Sequence, residues 1–283
     1  MMNLTRTICL TLAVLLGTTG TSWGADFEKG FAAAQSGDFA TALREFRPLA
    51  EQGYATAQFN LGLMYRRGEG VLQDYETAVK WWTLAAEQGH ADAQSNLGVM
   101  YEKGLGVPKD YNTAQKWYTL AAEQGYAFAQ HNLGQMYHEG LGVPQNIKTA
   151  VKWYSLAGEQ GYATAQFNLG LMYSKGLGVL QDYETAMRWY TLAAEQGNAG
   201  ARFNLGLMYA QGTGLPQDYK TAMKWFTFAA EQGVADAQYN LGFLYANGLG
   251  AAKDYKTAVK WYTLAAEQGF ADAQRNLGWM YRR

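Results

Sequence analysis

The sequence predicts an all-α fold, a solenoid of antiparallel helix pairs repeating every 36 residues. Three observations carry this expectation. First, glycines recur in strict register at Gly53, Gly89, Gly125, Gly161, Gly197, Gly233 and Gly269, and no insertion breaks the series. Asn60, Asn96, Asn132, Asn168, Asn204, Asn240 and Asn276 keep the same phase, as do Trp81, Trp117, Trp153, Trp189, Trp225 and Trp261. Second, each period splits into two helical patterns joined by a glycine-bearing loop, the signature of stacked two-helix units that bury their apolar faces against one another. Third, hydrophobic residues make up 48% of the 283-residue chain and charged residues only 17%, a balance that folds rather than stays disordered.

The elements follow in chain order. Residues 1–24 read as a secretory leader: Arg6 in the basic segment, the apolar run "ICLTLAVLLG", then small residues. Cleavage is expected after Gly24, where Ser22 and Gly24 fill the small positions before the cut. Residues 25–52 are a degenerate first unit, in which "SGDFATALREFRPLAEQG" aligns Asp38 with Asp74 and Phe46 with Trp82. Its turn is shorter, and Pro48 falls inside the second helix, where it removes a backbone hydrogen bond and is expected to kink it. Six full repeats span 53–268, and a half-repeat, 269–283, closes the chain on a single helix.

Within the first full repeat, helix A is expected over about Ala55–Arg67 and helix B over about Tyr75–Gln88. In helix A, Ala57, Asn60, Leu61, Met64 and Tyr65 are spaced i, i+3, i+4, i+7, i+8, one buried face of an α-helix. Gly62 recurs too, and its missing side chain would let a neighbouring helix approach. Asp74 suits the N-cap of helix B, Gly89 its left-handed end, and Gly68 and Gly70 a tight connection. In helix B, Glu76, Lys80, Thr83 and Glu87 form a polar, solvated stripe, while Ala78, Trp81, Trp82 and Ala85 face inward.

Charge excludes a nucleic-acid binder. Loss of residues 1–24 removes Arg6 and no acid, so 22 basic residues face 24 acidic ones, a net charge of −2. Nucleic-acid binding rests on clustered Lys and Arg, which are absent. The single cysteine, Cys9, lies in the leader, so the mature chain forms no disulfide. The apolar run falls short of the roughly 20 residues that a membrane-spanning helix needs.

The frame carried by "AQFNLGLMYRRGEGVLQDYETAVKWWTLAAEQG" and its successors resembles the Sel-one-like repeat family, relatives of the tetratricopeptide repeats. The resemblance covers nearly everything after the leader. It implies a right-handed superhelix, hence a right-handed α-solenoid, and a role in assembling protein complexes. Some secreted bacterial members pair cysteines in every repeat and are associated with penicillin binding or β-lactamase activity; this sequence lacks those cysteines.

Comparing the repeats with one another separates frame from variable surface. Positions 56, 59, 63, 66 and 67 change from unit to unit and form a second stripe on helix A, expected to line the concave face. The candidate partner-binding residues on it are Phe59, Leu63, Arg66, Phe128, His131, Gln135, His138, Phe167, Leu171, Phe203, Leu207, Tyr239, Phe243 and Trp279. The ring column at Phe59, Phe167, Phe203 and Tyr239 has two readings, a binding stripe with aromatic anchors or ordinary packing between successive A helices. The most individual stretch is "LGQMYHEGLGVPQN", where Gln135 and His138 fall in variable columns and, with His131 just before it, suggest a recognition patch.

Catalysis finds no unique constellation in this pattern. His131 and His138 are seven residues apart, about 10.5 Å along a helix, too far to share one ion. The Gly-x-Gly turns recur in every full unit without a following Gly-Lys-Ser/Thr, and no nucleophile sits beside a base. No catalytic, cofactor-binding or metal-binding residue is expected, and no cofactor. The leading expectation is a non-enzymatic scaffold in the cell envelope, periplasmic or secreted, that binds a protein or peptide. Alternatives are a peptidoglycan-binding module, with Tyr and Trp rings as sugar platforms, and a β-lactamase-like hydrolase.

Overall fold

The computed structural model describes residues 25–282; the leader and its cleavage point lie outside the described residues. Among the described residues there are fifteen α-helices and no strand, an all-α solenoid in which consecutive helices pack as pairs. No helix among them is long and apolar enough to cross a membrane. The chain divides into two compact units, the first ending at Gln124 and the second beginning at Gly125.

The first unit holds α1 (Phe27–Ser36), α2 (Phe39–Glu51), α3 (Ala55–Arg67), α4 (Tyr75–Glu87), α5 (Ala91–Lys103) and α6 (Tyr111–Glu123). The second holds α7 (Ala127–Glu139), α8 (Ile147–Glu159), α9 (Ala163–Lys175), α10 (Tyr183–Glu195), α11 (Ala199–Gln211), α12 (Tyr219–Glu231), α13 (Ala235–Asn247), α14 (Tyr255–Glu267) and α15 (Ala271–Met280). From α3 to α14, odd-numbered helices are A and even-numbered are B, and α15 is a final A helix. Only Gly37 and Asp38 separate α1 from α2, the short turn expected of the degenerate unit. Pro48 sits in the last turn of α2, where its carbonyl accepts from the Gln52 N–H and the helix runs on to Glu51.

Each helix B starts on a side-chain cap. Asp74 accepts from the Thr77 N–H at 3.1 Å and from the Thr77 hydroxyl at 2.6 Å, satisfying a backbone donor of the first turn that has no helical partner. Those bonds hold the Asp74 carboxyl below its ordinary range, and Asp110, Asp182, Asp218 and Asp254 are lowered in the same way. Asn146 caps α8 through the Thr149 N–H without a charge. Each full-length helix A ends on a left-handed glycine such as Gly68, at φ 71°.

The repeated glycine in the middle of helix A is a seat for a ring. A Cβ on Gly62 would stand 2.6 Å from the Trp82 indole, and one on Gly98 would stand 2.5 Å from the Tyr118 ring. In the second unit, Gly134, Gly170, Gly206 and Gly242 lie in the same way under Tyr154, Tyr190, Phe226 and Tyr262. These rings are almost fully buried, and Trp82 also donates its indole N–H to the Phe59 carbonyl at 3.0 Å. The second glycine of each turn serves a different approach. Gly70 has φ 74°, and a side chain there would meet the Phe39 carbonyl oxygen at 2.9 Å.

A ladder of glutamines ties the pairs together. Gln58 donates to the Ala50 carbonyl at 3.0 Å and accepts from Gln88 at 2.8 Å. In the second unit, Gln166 donates to the Gly158 carbonyl at 3.0 Å and accepts from Gln196 at 2.8 Å, and Gln238 repeats the pattern with Ala230 and Gln268. Donating from its nitrogen and accepting at its oxygen, each buried amide offsets the cost of leaving water, so these polar side chains are tolerated inside the stack. Arg202 replaces the glutamine on α11 and reaches the same carbonyl position, Ala194, through Nε at 3.0 Å.

Helix B departs from the sequence expectation in one column. Glu76, Lys80 and Glu87 are exposed, but the Thr83 hydroxyl turns back to the Val79 carbonyl at 2.8 Å. Leu84, Leu120, Leu156 and Leu192 are each 44% exposed and Phe228 is 47% exposed, so an apolar column runs within what reads as a solvated face.

Candidate functional site

The variable residues of helix A do not all reach the surface. Phe59 is 4% exposed and Leu63 is 8% exposed; both belong to the core, not to a binding stripe. Phe59 stacks on His90, with ring centroids 4.7 Å apart. Along the second unit, His131 lies 5.1 Å from the Tyr162 ring and Tyr239 lies 5.0 Å from Phe270, each pairing with the residue that opens the next A helix. Phe167 crowds Gly200 and lies 6.1 Å from Tyr190, and Phe203 lies 5.9 Å from Phe226. Phe59 is core, while Phe167, Phe203 and Tyr239 are half-buried and each packs against a ring of its own repeat or the next. Leu207 is half-buried beside Phe203 and lies against the α12–α13 core, and Phe128 is half-buried and edge-on to Tyr162.

What remains outside is a groove between successive A helices. Between α7 and α9 it encloses about 390 Å³ and is lined by His131, Gln135, His138, Glu139, Tyr154, Thr164, Asn168, Leu171 and Lys175, among others. The structure thus brings Gln135 and His138 to one concavity, with Leu171 of the next repeat on the far wall and His131, as buried as Leu63, in its floor. Thr164 and Lys175, the counterparts of positions 56 and 67 in the stripe, complete it together with Tyr154 and Asn168, which were not in the stripe. Asn168 and Tyr154 recur in frame columns, which hid them.

Polar contacts fix this floor. His131 Nδ1 is 3.3 Å from the Asn132 side-chain oxygen Oδ1 and its Nε2 is 3.3 Å from the Asn168 side-chain amide nitrogen. Nδ1 therefore carries the hydrogen and donates, while Nε2 accepts from Asn168. Asn168 also bonds the Tyr154 phenol, which burial and then the Glu139 carboxylate push above its ordinary value despite that bond. Gln135 donates to Glu139 at 2.8 Å. His138 Nδ1 is buried with no hydrogen-bond partner.

An equivalent groove between α13 and α15 encloses about 530 Å³ and is lined with rings: Phe243, Tyr255, Tyr262 and Trp279, with Lys253, Arg275 and Asn276. Phe243 and Trp279 are 43% and 49% exposed. Near the start of the first unit, exposed Arg66 lines an open cleft of about 970 Å³ with Gln35, Arg67, Glu69 and Tyr75. Among the described residues no three His, Cys, Asp or Glu side chains gather as a metal site.

The profile of the Sel1 repeat family matches residues 55–90, 91–126, 127–162, 163–198, 199–234, 235–270 and 271–283. The chain belongs to the Sel1 repeat family. Among solved structures, this Sel1-repeat chain is similar to c5321, a protective antigen present in uropathogenic Escherichia coli strains and displaying an SLR fold. The two are 40% identical with a TM-score of 0.85, over 92% of this chain and 60% of that one. A Sel1 repeat protein from Oxalobacter formigenes is 35% identical with a TM-score of 0.74, over 83% of this chain and 94% of that one. The chain thus spans 60% of the length of the first relative. No curated protein matches the sequence. Sel1 repeats are scaffold elements for protein partners, and the matched repeats begin at each helix A, the helix whose surface varies most.

Proposed function

We propose that this Sel1-repeat chain is a non-enzymatic adaptor of the cell envelope that takes a protein or peptide partner across the grooves between successive A helices. One observation carries the reading. The repeats share ring seats, caps and glutamine ladder, and differ at Gln135, His138, Phe243 and Trp279, which all line grooves. A surface that changes from repeat to repeat on a constant frame presents a distinct set of contacts, as recognition of one partner requires. Export is supported by the leader pattern of residues 1–24.

Capture from envelope extract tests this. The mature protein is expected to retain one partner, and the His138→Ala and Phe243→Ser changes to lose it with unchanged far-ultraviolet circular dichroism. Retention on purified peptidoglycan, with no protein captured, contradicts the proposal. Amino-terminal sequencing of the exported form is expected to start at Ala25.

A further inference from the structure

We infer that the groove between α13 and α15 receives an acidic peptide segment carrying an aromatic anchor. The inference rests on the partner-binding reading of the A-helix grooves and names the chemistry of what enters one of them. Two features set this groove apart. The first is its rings: of six exposed aromatic side chains among the described residues, Phe243, Tyr255 and Trp279 line this one concavity, and Tyr262 forms its buried floor. Rigid rings around a volume of about 530 Å³ give an inserted apolar side chain contact area at little entropic cost.

The second is its charge. The groove between α7 and α9 carries Glu139 and Lys175, which balance. Between α13 and α15 the charged lining residues are Lys253 and Arg275, with no carboxylate. The Lys253 ammonium lies 5.3 Å from the centre of the Tyr255 ring, so a ring holds the cation at the groove wall. Arg275 pairs with Asp272 through one terminal nitrogen at 2.8 Å, and the guanidinium has further donors in its planar fork for a carboxylate. On a chain of net charge −1, this is a local positive lining over an aromatic floor. Its complement is a carboxylate next to an aromatic side chain, with the ring inserted and the acid held at the rim.

Fluorescence anisotropy of the full mature protein with a fluorescein-labelled nonapeptide tests this, the probe having one phenylalanine flanked by glutamates. The glutamate peptide is expected to bind at least tenfold tighter than the same peptide with lysines, and tenfold tighter than one with alanine in place of phenylalanine. Raising the salt concentration weakens the first preference and leaves the second. The Lys253→Glu/Arg275→Gln double change, at two exposed positions, abolishes the charge preference with unchanged helical content, and Trp279→Ala weakens the glutamate peptide at least tenfold. Equal affinity for the three peptides, no binding by any, or binding unmoved by the double change overturns the inference. Where the peptides overturn the inference while the partner captured from envelope extract is lost on His138→Ala, the adaptor reading stands and only this assignment falls.

Discussion

Gly170 and Leu171 follow one another on α9, yet the first lies under the Tyr190 ring with no room for a methyl group, while the second lines the groove opposite His131 and Gln135. Neighbouring residues point about 100° apart around a helix, so one short segment serves both the interior and the recognition surface. The difference teaches where change is tolerated. Frame columns are constrained by rings and caps in every repeat, and groove columns are constrained only by what they meet.

That contrast is open to breakage, from its most costly side first. Trp82 is fully buried and its indole N–H bonds the Phe59 carbonyl, so Trp82→Ala is expected to cost about 3–5 kcal/mol, read as a lower urea midpoint. Gly170→Ala forces a methyl group to within 2.5 Å of the Tyr190 ring and is expected to cost about 1–3 kcal/mol. Gly278 on α15 has nothing within 4 Å of the same position, so Gly278→Ala is expected to be neutral or to stabilise by up to about 1 kcal/mol. Thermal denaturation is therefore expected to show a lowered midpoint for Gly170→Ala and an unchanged or raised one for Gly278→Ala; two losses of equal size contradict the ring-seat account.

The terminal pair offers a smaller, pH-dependent effect. Glu45 accepts from Lys29 at 2.9 Å and then from the Asp26 N–H, which together lower its carboxyl to about 2. A carboxyl lowered in the folded state contributes stability above its unfolded value, near 4.5, and loses it as pH falls through about 2. The urea midpoint is expected to drop over that window and to drop less in Glu45→Gln. Smallest of all, Gln135→Ala and Lys175→Ala at the groove are expected to change stability by about 0.5 kcal/mol or less, whatever they do to binding.

Much of the fold was legible because a strict period repeats each clue. Asp74 and Gly89 marked helix B, and the constant Gly62 announced a close neighbour, although not that the neighbour is an aromatic ring from the partner helix. The candidate site was half legible. His131, Gln135 and His138 stood out as departures from the frame, and they do share a groove. Phe59 and Leu63 varied between repeats as surface residues do, yet they are core. One helix's periodicity shows which residues share a face, but not how far the next repeat covers it, and His90 stacked on Phe59 decides that. The exposed leucines of helix B were missed for the same reason: their column lies at the edge of the buried face, where only packing between repeats sets exposure.

Those leucines define the rival surface, and site-specific photo-cross-linking in the native cell separates it from the grooves. A photoreactive side chain placed at Gln135 or Phe243, in the grooves, and at Leu156 or Leu192, on helix B, reports which face meets the partner. The account predicts one cross-linked species from the groove positions and none from helix B. The same species formed from Leu156 and Leu192 but not from Gln135 or Phe243 would contradict it.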